Sequence, residues 1–192
     1  MEIEYEATFT NINKQKIIEK LKLLKVILIK PEFLQKRIVF SLPKGHEIKG
    51  GWIRIRDEQD KKTMSLKVVD GKKIENQKEI YLEINDLKNA ELFLTTIGCK
   101  KNAYQESKRE IWMLENVEIM IDEWPFLEPY IEIEGKNERD VKKIAEKLGF
   151  EWKKAVFGSV DVLYAKKYGI SEEIVCEQTP EIKFNMENPF LN

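Results

Sequence analysis

Polar and apolar residues alternate with a period of two in short runs along most of the chain, and this constrains the fold more than any other feature. Residues 2–9 put Glu4, Glu6 and Thr8 on one face and Tyr5, Ala7 and Phe9 on the other. That is the signature of a β-strand, whose successive side chains point to opposite faces. The same pattern predicts strands over 26–30, 36–42, 52–57, 62–69, 77–84, 105–113, 117–122, 129–134 and 155–164. Pro31 marks a turn between 26–30 and 36–42, Asp70-Gly71 a hairpin, and Glu115-Asn116 the joint between 105–113 and 117–122.

Three segments switch to helical spacing. Residues 12–24 carry Ile17, Ile18, Leu21 and Leu24 on one side, with Asn13 as N-cap. Residues 86–97 begin at Asp86 and stop at Gly98, and residues 138–148 begin after Asn137 and stop at Gly149. A short helix is expected near 171–177, in a tail that otherwise reads as loosely ordered. Nearly all strands follow one another through short connections, so the sheet is antiparallel. A sheet of eight or nine such strands avoids exposed edges by closing on itself. The apolar helix stripes need a partner, which the apolar sheet face supplies. This places the helices outside an α+β barrel and the polar face inside. No linker or composition shift divides the 192 residues, which read as a single domain over 1–192, with a core over 2–164 and a C-terminal tail over 165–192. Glu-x-Glu in a strand followed by an amphipathic helix occurs twice, at EIEYEATF and at YIEIEG, an internal echo of two related halves packed side by side.

What the polar faces hold bears on function. Glu4 and Glu6 lie on one strand, Arg54 and Arg56 on another, Thr63, Ser65 and Lys67 on a third, and Glu79 and Glu83 on a fourth. Ser107 and Arg109, then Asp122, then Glu132 and Glu134 follow. A solvated outer face is the ordinary explanation of such charge. Against it, acids and arginines segregate by strand, and Arg is used at 54, 56 and 109 in a chain whose commoner base is Lys. Arg suits sites where a planar fork meets phosphate. Charges lining a barrel interior must be paired, hydrated or bound to a ligand. A polyphosphate with a hard divalent cation satisfies both signs, Arg and Lys taking phosphate oxygens and paired carboxylates taking Mg²⁺ or Mn²⁺.

Composition narrows the partners. The 33 basic and 34 acidic residues leave a formal net charge of -1, without the basic excess of a general nucleic-acid binder. Cys99 and Cys176 are the only cysteines and lack metal-type spacing, which points to a reducing cytoplasm. The acidic, strand-like MEIEYEATF is no signal peptide, and no apolar run approaches a membrane span. The size suits a monomer or a homodimer. His46, the only histidine, sits in the glycine- and lysine-rich loop PKGHEIKGG and reads as solvent-facing. Trp52, Trp112, Trp124 and Trp152 read as core or rim packing, with Trp124 a candidate to line an entrance, and Gly158 as a bend.

Taken in order, these residues carry a family resemblance. EYEAT with Glu4 and Glu6, WIRIR with Arg54 and Arg56, TMSLKV with Lys67, SKRE with Arg109, MIDEW with Asp122 and EIE with Glu132 and Glu134 are similar to the motifs of the CYTH superfamily, the triphosphate tunnel metalloenzymes. The resemblance spans residues 2–164. It implies a closed eight-stranded antiparallel tunnel with helices packed outside, acting on a triphosphate with Mg²⁺ or Mn²⁺. Arg54, Arg56, Lys67 and Arg109 would be catalytic and would clamp the substrate with Lys108, while Glu4, Glu6, Asp122, Glu132 and Glu134 would hold metal. The expected activity is hydrolysis of inorganic, thiamine or nucleoside triphosphate. The alternatives are a class IV adenylyl cyclase and a non-catalytic polyphosphate- or nucleotide-binding module. Two positions depart from the pattern: Thr8 stands at the signature lysine, and Ser107 replaces a basic residue, with Lys108 adjacent.

Overall fold

A computed structural model describes residues 1–191; Asn192, the last residue of the tail, lies outside the described residues. The alternation becomes a long antiparallel sheet. The N-terminal strand breaks at Glu4 into β1 (Glu2–Ile3) and β2 (Tyr5–Phe9). The remaining strands are β3 (Ile27–Ser41), β4 (Gly51–Asp57), β5 (Lys62–Val69), β6 (Gln77–Ile84), β7 (Lys100–Leu114), β8 (Val117–Glu123), β9 (Tyr130–Gly135) and β10 (Glu181–Ile182). They run in the order β1-β6-β5-β4-β3-β7-β8-β9-β2, with β10 added to β7. Because β1 pairs with β6 and β2 with β9, residues 2–9 bring the two ends of the sheet together. The result is an antiparallel sheet nearly closed into a barrel. Counted with β1 and β2 as one interrupted strand, it is eight-stranded, as expected.

One seam remains, between β2 and β6, and a side chain closes it. Gln77 donates through Nε2 to the carbonyl of Glu6 at 2.8 Å, and its Oε1 accepts from the Gly158 amide at 2.8 Å. Beside it, Thr8 and Val156 exchange both backbone hydrogen bonds, at 3.0 and 2.9 Å. The Glu6 carbonyl and the Thr8 N–H and C=O thus find partners where the ladder stops.

The helices α1 (Lys14–Leu23), α2 (Leu87–Thr96) and α3 (Glu138–Lys147) start where the caps predict. Asn13, Asp86 and Asn137 each accept from a first-turn amide. Their apolar stripes pack on the outer face of the sheet. Leu21 and Val141, Ile144 and Leu148 meet Ala7, Phe9, Ile119, Ile131 and Ile133, and Leu94 meets Phe40 and Ile55. The two halves of the internal echo are neighbours: β2 and β9 pair antiparallel, with Glu6 opposite Glu134 and Thr8 opposite Glu132.

Three expectations are corrected. There is no turn at Pro31: β3 runs unbroken for 15 residues, with register shifts between Leu28 and Lys30 and between Lys30 and Phe33. A bulge is where a strand tolerates proline, since the ladder there asks for no N–H. Residues 155–164 form no strand beyond the Val156 bridge. The segment turns at Gly158 and enters a fourth helix, α4 (Asp161–Tyr168), which buries Leu163 and Tyr164 and stops at Gly169 with φ 67°. The tail is packed: a π-helical turn over Ile174–Gln178 and β10 bury Val175 and Ile182 with Trp124, Tyr130, Tyr164 and Phe190. Strand β10 lies parallel to β7 at Tyr104 and Gln105, beyond the reach of β8, whose pairing begins at Lys108. Among the described residues, no helix is long and apolar enough to cross a membrane.

Candidate functional site

The polar strand faces enclose a cavity of about 1330 Å³ along the barrel. Packing explains why these faces point inward. Ile53 and Ile55 of β4, Ala7 and Phe9 of β2, and Ile131 and Ile133 of β9 are taken by the helices. Alternation then turns Arg54 and Arg56, Glu4 and Glu6, and Glu132 and Glu134 toward the interior, where all six line the cavity.

At one wall three carboxylates converge. Glu4, Glu6 and Glu134 each offer an oxygen, and these oxygens all lie within 4.8 Å of one another. Burial acts to raise Glu4, but Lys67, whose Nζ is 2.6 Å away, together with Arg54 and Arg56, outweighs it and holds this carboxyl below its ordinary value. Among the described residues Glu6 and Glu134 form no ion pair, and Lys67 only partly offsets what raises them. Burial and then the neighbouring Glu4 push Glu6 up to about 8 and Glu134 up to about 7. Three half-buried oxygen donors, two of which ionise reluctantly beside one another, fit a hard divalent cation: its charge would relieve their repulsion.

The second centre is Arg109. Its Nε and Nη2 hold the two oxygens of Asp122 at 2.7 and 2.6 Å, and Nη2 also reaches Glu132. Burial opposes this cation, yet Asp122 and Glu132 raise it well above the ordinary arginine value. Asp122 is 0% exposed, so its lone pairs face Arg109 rather than the open cavity. The metal ligands expected from sequence thus divide. Glu4, Glu6 and Glu134 come together, while Asp122 and Glu132 serve to fix Arg109.

On the remaining walls, Arg54 lies 3.4 Å from Glu79 and Arg56 pairs with the buried Glu58. Burial, then Arg54, pushes the Arg56 guanidinium down to about 10, and its Nε, like that of Arg54, is buried without a partner among the described residues. Cations that are crowded together with unused donors are ready for an anion.

Lys108 is not brought to the cavity. The β7–β8 register runs without a bulge through Lys108–Glu123 and Arg109–Asp122, so Arg109 inside puts Lys108 outside. There its ammonium lies over the Phe184 ring and 3.8 Å from Glu32. Thr8 does not line the cavity either, being 4% exposed and paired with Val156. Ser107, at 0% exposure, accepts a hydrogen bond from Arg37 at 2.8 Å. His46 is exposed in its loop, and Trp124 lines the cavity beneath the tail. Sequence reasoning gave no role to Arg37, Glu58 or Glu118, which also line the cavity. The available signal was parity: Arg37 shares a face with Gln35 and Val39, opposite to Ile38 and Phe40.

Comparison with known proteins adds the following. A family model described as the CYTH domain matches residues 1–156. No curated protein matches the sequence. Among solved structures, a protein of Pyrococcus horikoshii is 24% identical with a TM-score of 0.65, covering 85% of this chain and 99% of that one. A protein of Vibrio parahaemolyticus described as a candidate adenylate cyclase superposes with a TM-score of 0.72 at 13% identity, over 85% of this chain and 98% of its own. A Hippeastrum protein described as a candidate adenylyl cyclase with a dominant triphosphatase activity is 16% identical with a TM-score of 0.60, over 89% and 97% of the two chains. At these identities the likeness is one of fold.

Proposed function

The chain belongs to the CYTH domain family, and from that premise we propose that it hydrolyses a triphosphate, inorganic, thiamine or nucleoside, with the help of Mg²⁺ or Mn²⁺. One observation carries the reading. The same cavity holds a cluster of carboxylates at Glu4, Glu6 and Glu134 and, at Arg54 and Arg56, arginines whose buried Nε donors are unused among the described residues. A metal–polyphosphate complex is a ligand with both complements. The dominant triphosphatase activity described for the Hippeastrum protein is consistent with it.

In this reading Glu4, Glu6 and Glu134 hold the cation, which when bound supplies positive charge to the phosphoryl oxygens. Arg54, Arg56 and Lys67 bind and orient the phosphate chain. Arg109, locked by Asp122 and Glu132, presents its charge at a fixed point. Donors preorganised out of water stabilise developing phosphoryl charge better than flexible ones. Truncating Arg54 or Arg56 to alanine is expected to lower turnover by about 10²-fold or more.

The test is product analysis on tripolyphosphate, thiamine triphosphate and ATP, each with Mg²⁺ or Mn²⁺. Metal-dependent release of orthophosphate supports hydrolysis. Cyclic AMP and pyrophosphate from ATP would assign the cyclase reaction instead. Tight binding with no product from any of the three would leave a binding module and end the hydrolase reading.

A further inference from the structure

Arg37 is a buried cation whose partners are all neutral. It rises from β3 into the cavity and is 7% exposed. Its Nη2 donates to Gln35 Oε1 at 3.1 Å and to Ser107 Oγ at 2.8 Å, and its buried Nε has no partner among the described residues. Four other cations of the cavity each meet a carboxylate among the described residues: Arg54 at Glu79, Arg56 at Glu58, Lys67 at Glu4 and Arg109 at Asp122. Arg37 does not.

Its surroundings add charge of the same sign. In the β3–β4 ladder Arg37 stands directly opposite Arg56. Like charges at directly opposed positions repel, the more so away from water. Burial, then Arg54, Arg56 and Arg109, disfavours the charged guanidinium.

Yet the position is built, not incidental. Trp124 lies under the guanidinium, 4.3 Å from its ring centre, and fixes its plane. Ser107 Oγ also donates to Gln35 Oε1 at 3.1 Å, tying together the two groups that hold Nη2. A fold that immobilises a buried cation against its neighbours, with a donor left over, is shaped for an anion that the cation will meet.

The strand order says where that anion lies. From β2 the path β9, β8, β7, β3 takes four steps, and from β1 the path β6, β5, β4, β3 also takes four. Arg37 therefore sits on the wall opposite the strand that carries Glu4 and Glu6. A single phosphoryl group held at the carboxylates does not span that separation, whereas a chain of phosphates reaches across.

We propose that Arg37 is a further phosphate ligand of this cavity, which with Arg56 seats the phosphoryl group farthest from the carboxylates and so selects polyphosphates over single phosphates. This rests on the triphosphate reading given above. Binding of tripolyphosphate and of orthophosphate, with Mg²⁺ present, is measured by calorimetry for wild type, Arg37→Gln and Arg37→Lys. Binding of Mn²⁺ alone and the melting temperature of the metal-free protein are measured beside it. Arg37→Gln is expected to weaken tripolyphosphate by about 10- to 100-fold, the loss of charged hydrogen bonds. Mn²⁺ binding should stay within about twofold, and the metal-free melting temperature should hold or rise, since a repulsion is removed. Arg37→Lys should restore part of the affinity. Tripolyphosphate affinity within about twofold of wild type in Arg37→Gln overturns the proposal while leaving the triphosphate reading intact. A fall in both melting temperature and affinity that Arg37→Lys does not relieve marks Arg37 as a packing residue and also overturns it. A wild-type protein that binds no tripolyphosphate refutes the triphosphate reading itself, and this proposal with it.

Discussion

Replacing Arg109 with leucine is expected to destabilise the metal-free protein by about 3–5 kcal/mol, the usual cost of removing one partner from a buried pair. Arg109 grips both oxygens of Asp122, at 2.7 and 2.6 Å, and reaches Glu132 as well. Asp122 is 0% exposed, so water cannot take over the lost contacts. Glu132 softens its share of the loss: burial, then Glu6 and Asp122, already hold its carboxyl well above the ordinary value, and it can keep a proton when the guanidinium goes. Most of the cost therefore falls on Asp122. In a domain of this size each kcal/mol moves the melting temperature by about 2–4 °C, which gives a fall of roughly 6–20 °C. Urea unfolding in EDTA, followed by tryptophan fluorescence and checked by calorimetry, reads it directly. The double variant Arg109→Leu/Asp122→Leu should recover much of the loss, because a buried charge without a partner costs more than an apolar pair of similar shape. If Arg109→Leu stays within about 1 kcal/mol of wild type, the network does not hold the barrel together and its role is confined to the ligand.

Other outcomes are expected together. Glu6 and Glu134, raised to about 8 and about 7 from 4.5, bind protons more tightly folded than unfolded. Their contribution to stability is therefore present below about pH 4.5 and lost as pH rises through 7 and 8. A divalent cation replaces the lost protons, so the rise in melting temperature with saturating Mn²⁺ should be larger near pH 8.5 than near pH 6, and a rise independent of pH would count against the carboxylate triad. Glu6→Gln should raise the melting temperature of the metal-free protein at about pH 8 and abolish most of the Mn²⁺ shift; a metal shift of wild-type size would remove Glu6 from the site. Ile182→Ala, in the short tail strand, should cost about 2–4 kcal/mol in urea unfolding, since Ile182 is fully buried. A cost under about 1 kcal/mol would mean that the tail does not pack against Trp124 and Tyr130 in solution.

How much of this was legible in the sequence follows from what each inference depends on. Alternation is local, so it yields the strands, and with the helix stripes it also yields which face is inside. Ile53 and Ile55 turn to α2, and Arg54 and Arg56 follow inward by parity. The helix caps at Asn13, Asp86 and Asn137 are equally local, because a side chain meets an amide two or three residues on. What sequence does not carry is pairing across strands. Sequence placed Asp122 and Glu132 with the other acids but could not show their pairing with Arg109, which is fixed by the whole ladder from β7 to β9. The tail misleads for a related reason. The alternation in AVFGSVDVLY also fits one face of a helix, and the contest is decided by Trp124 and Tyr130, which Leu163 and Tyr164 cover.

Lys108 and Arg37 show the same rule from both sides. Lys108 is basic and next to Arg109, and proximity in sequence suggested a shared role. Parity forbids it without a bulge, and the β7–β8 ladder has none. Arg37 stands in a strand whose start was hidden by Pro31 and carries a lysine neighbour of equal charge. Alternation sends one of Lys36 and Arg37 inward, and composition does not say which. The decision lies with Ile38 and Phe40, which the Leu94 face of α2 draws to the outside. Once they are buried there, Lys36 goes out with them and Arg37 must enter the cavity. The apolar packing of an outer helix thus sets the charge of the inner wall, and a substitution that loosened Phe40 under α2 would be felt at Arg37.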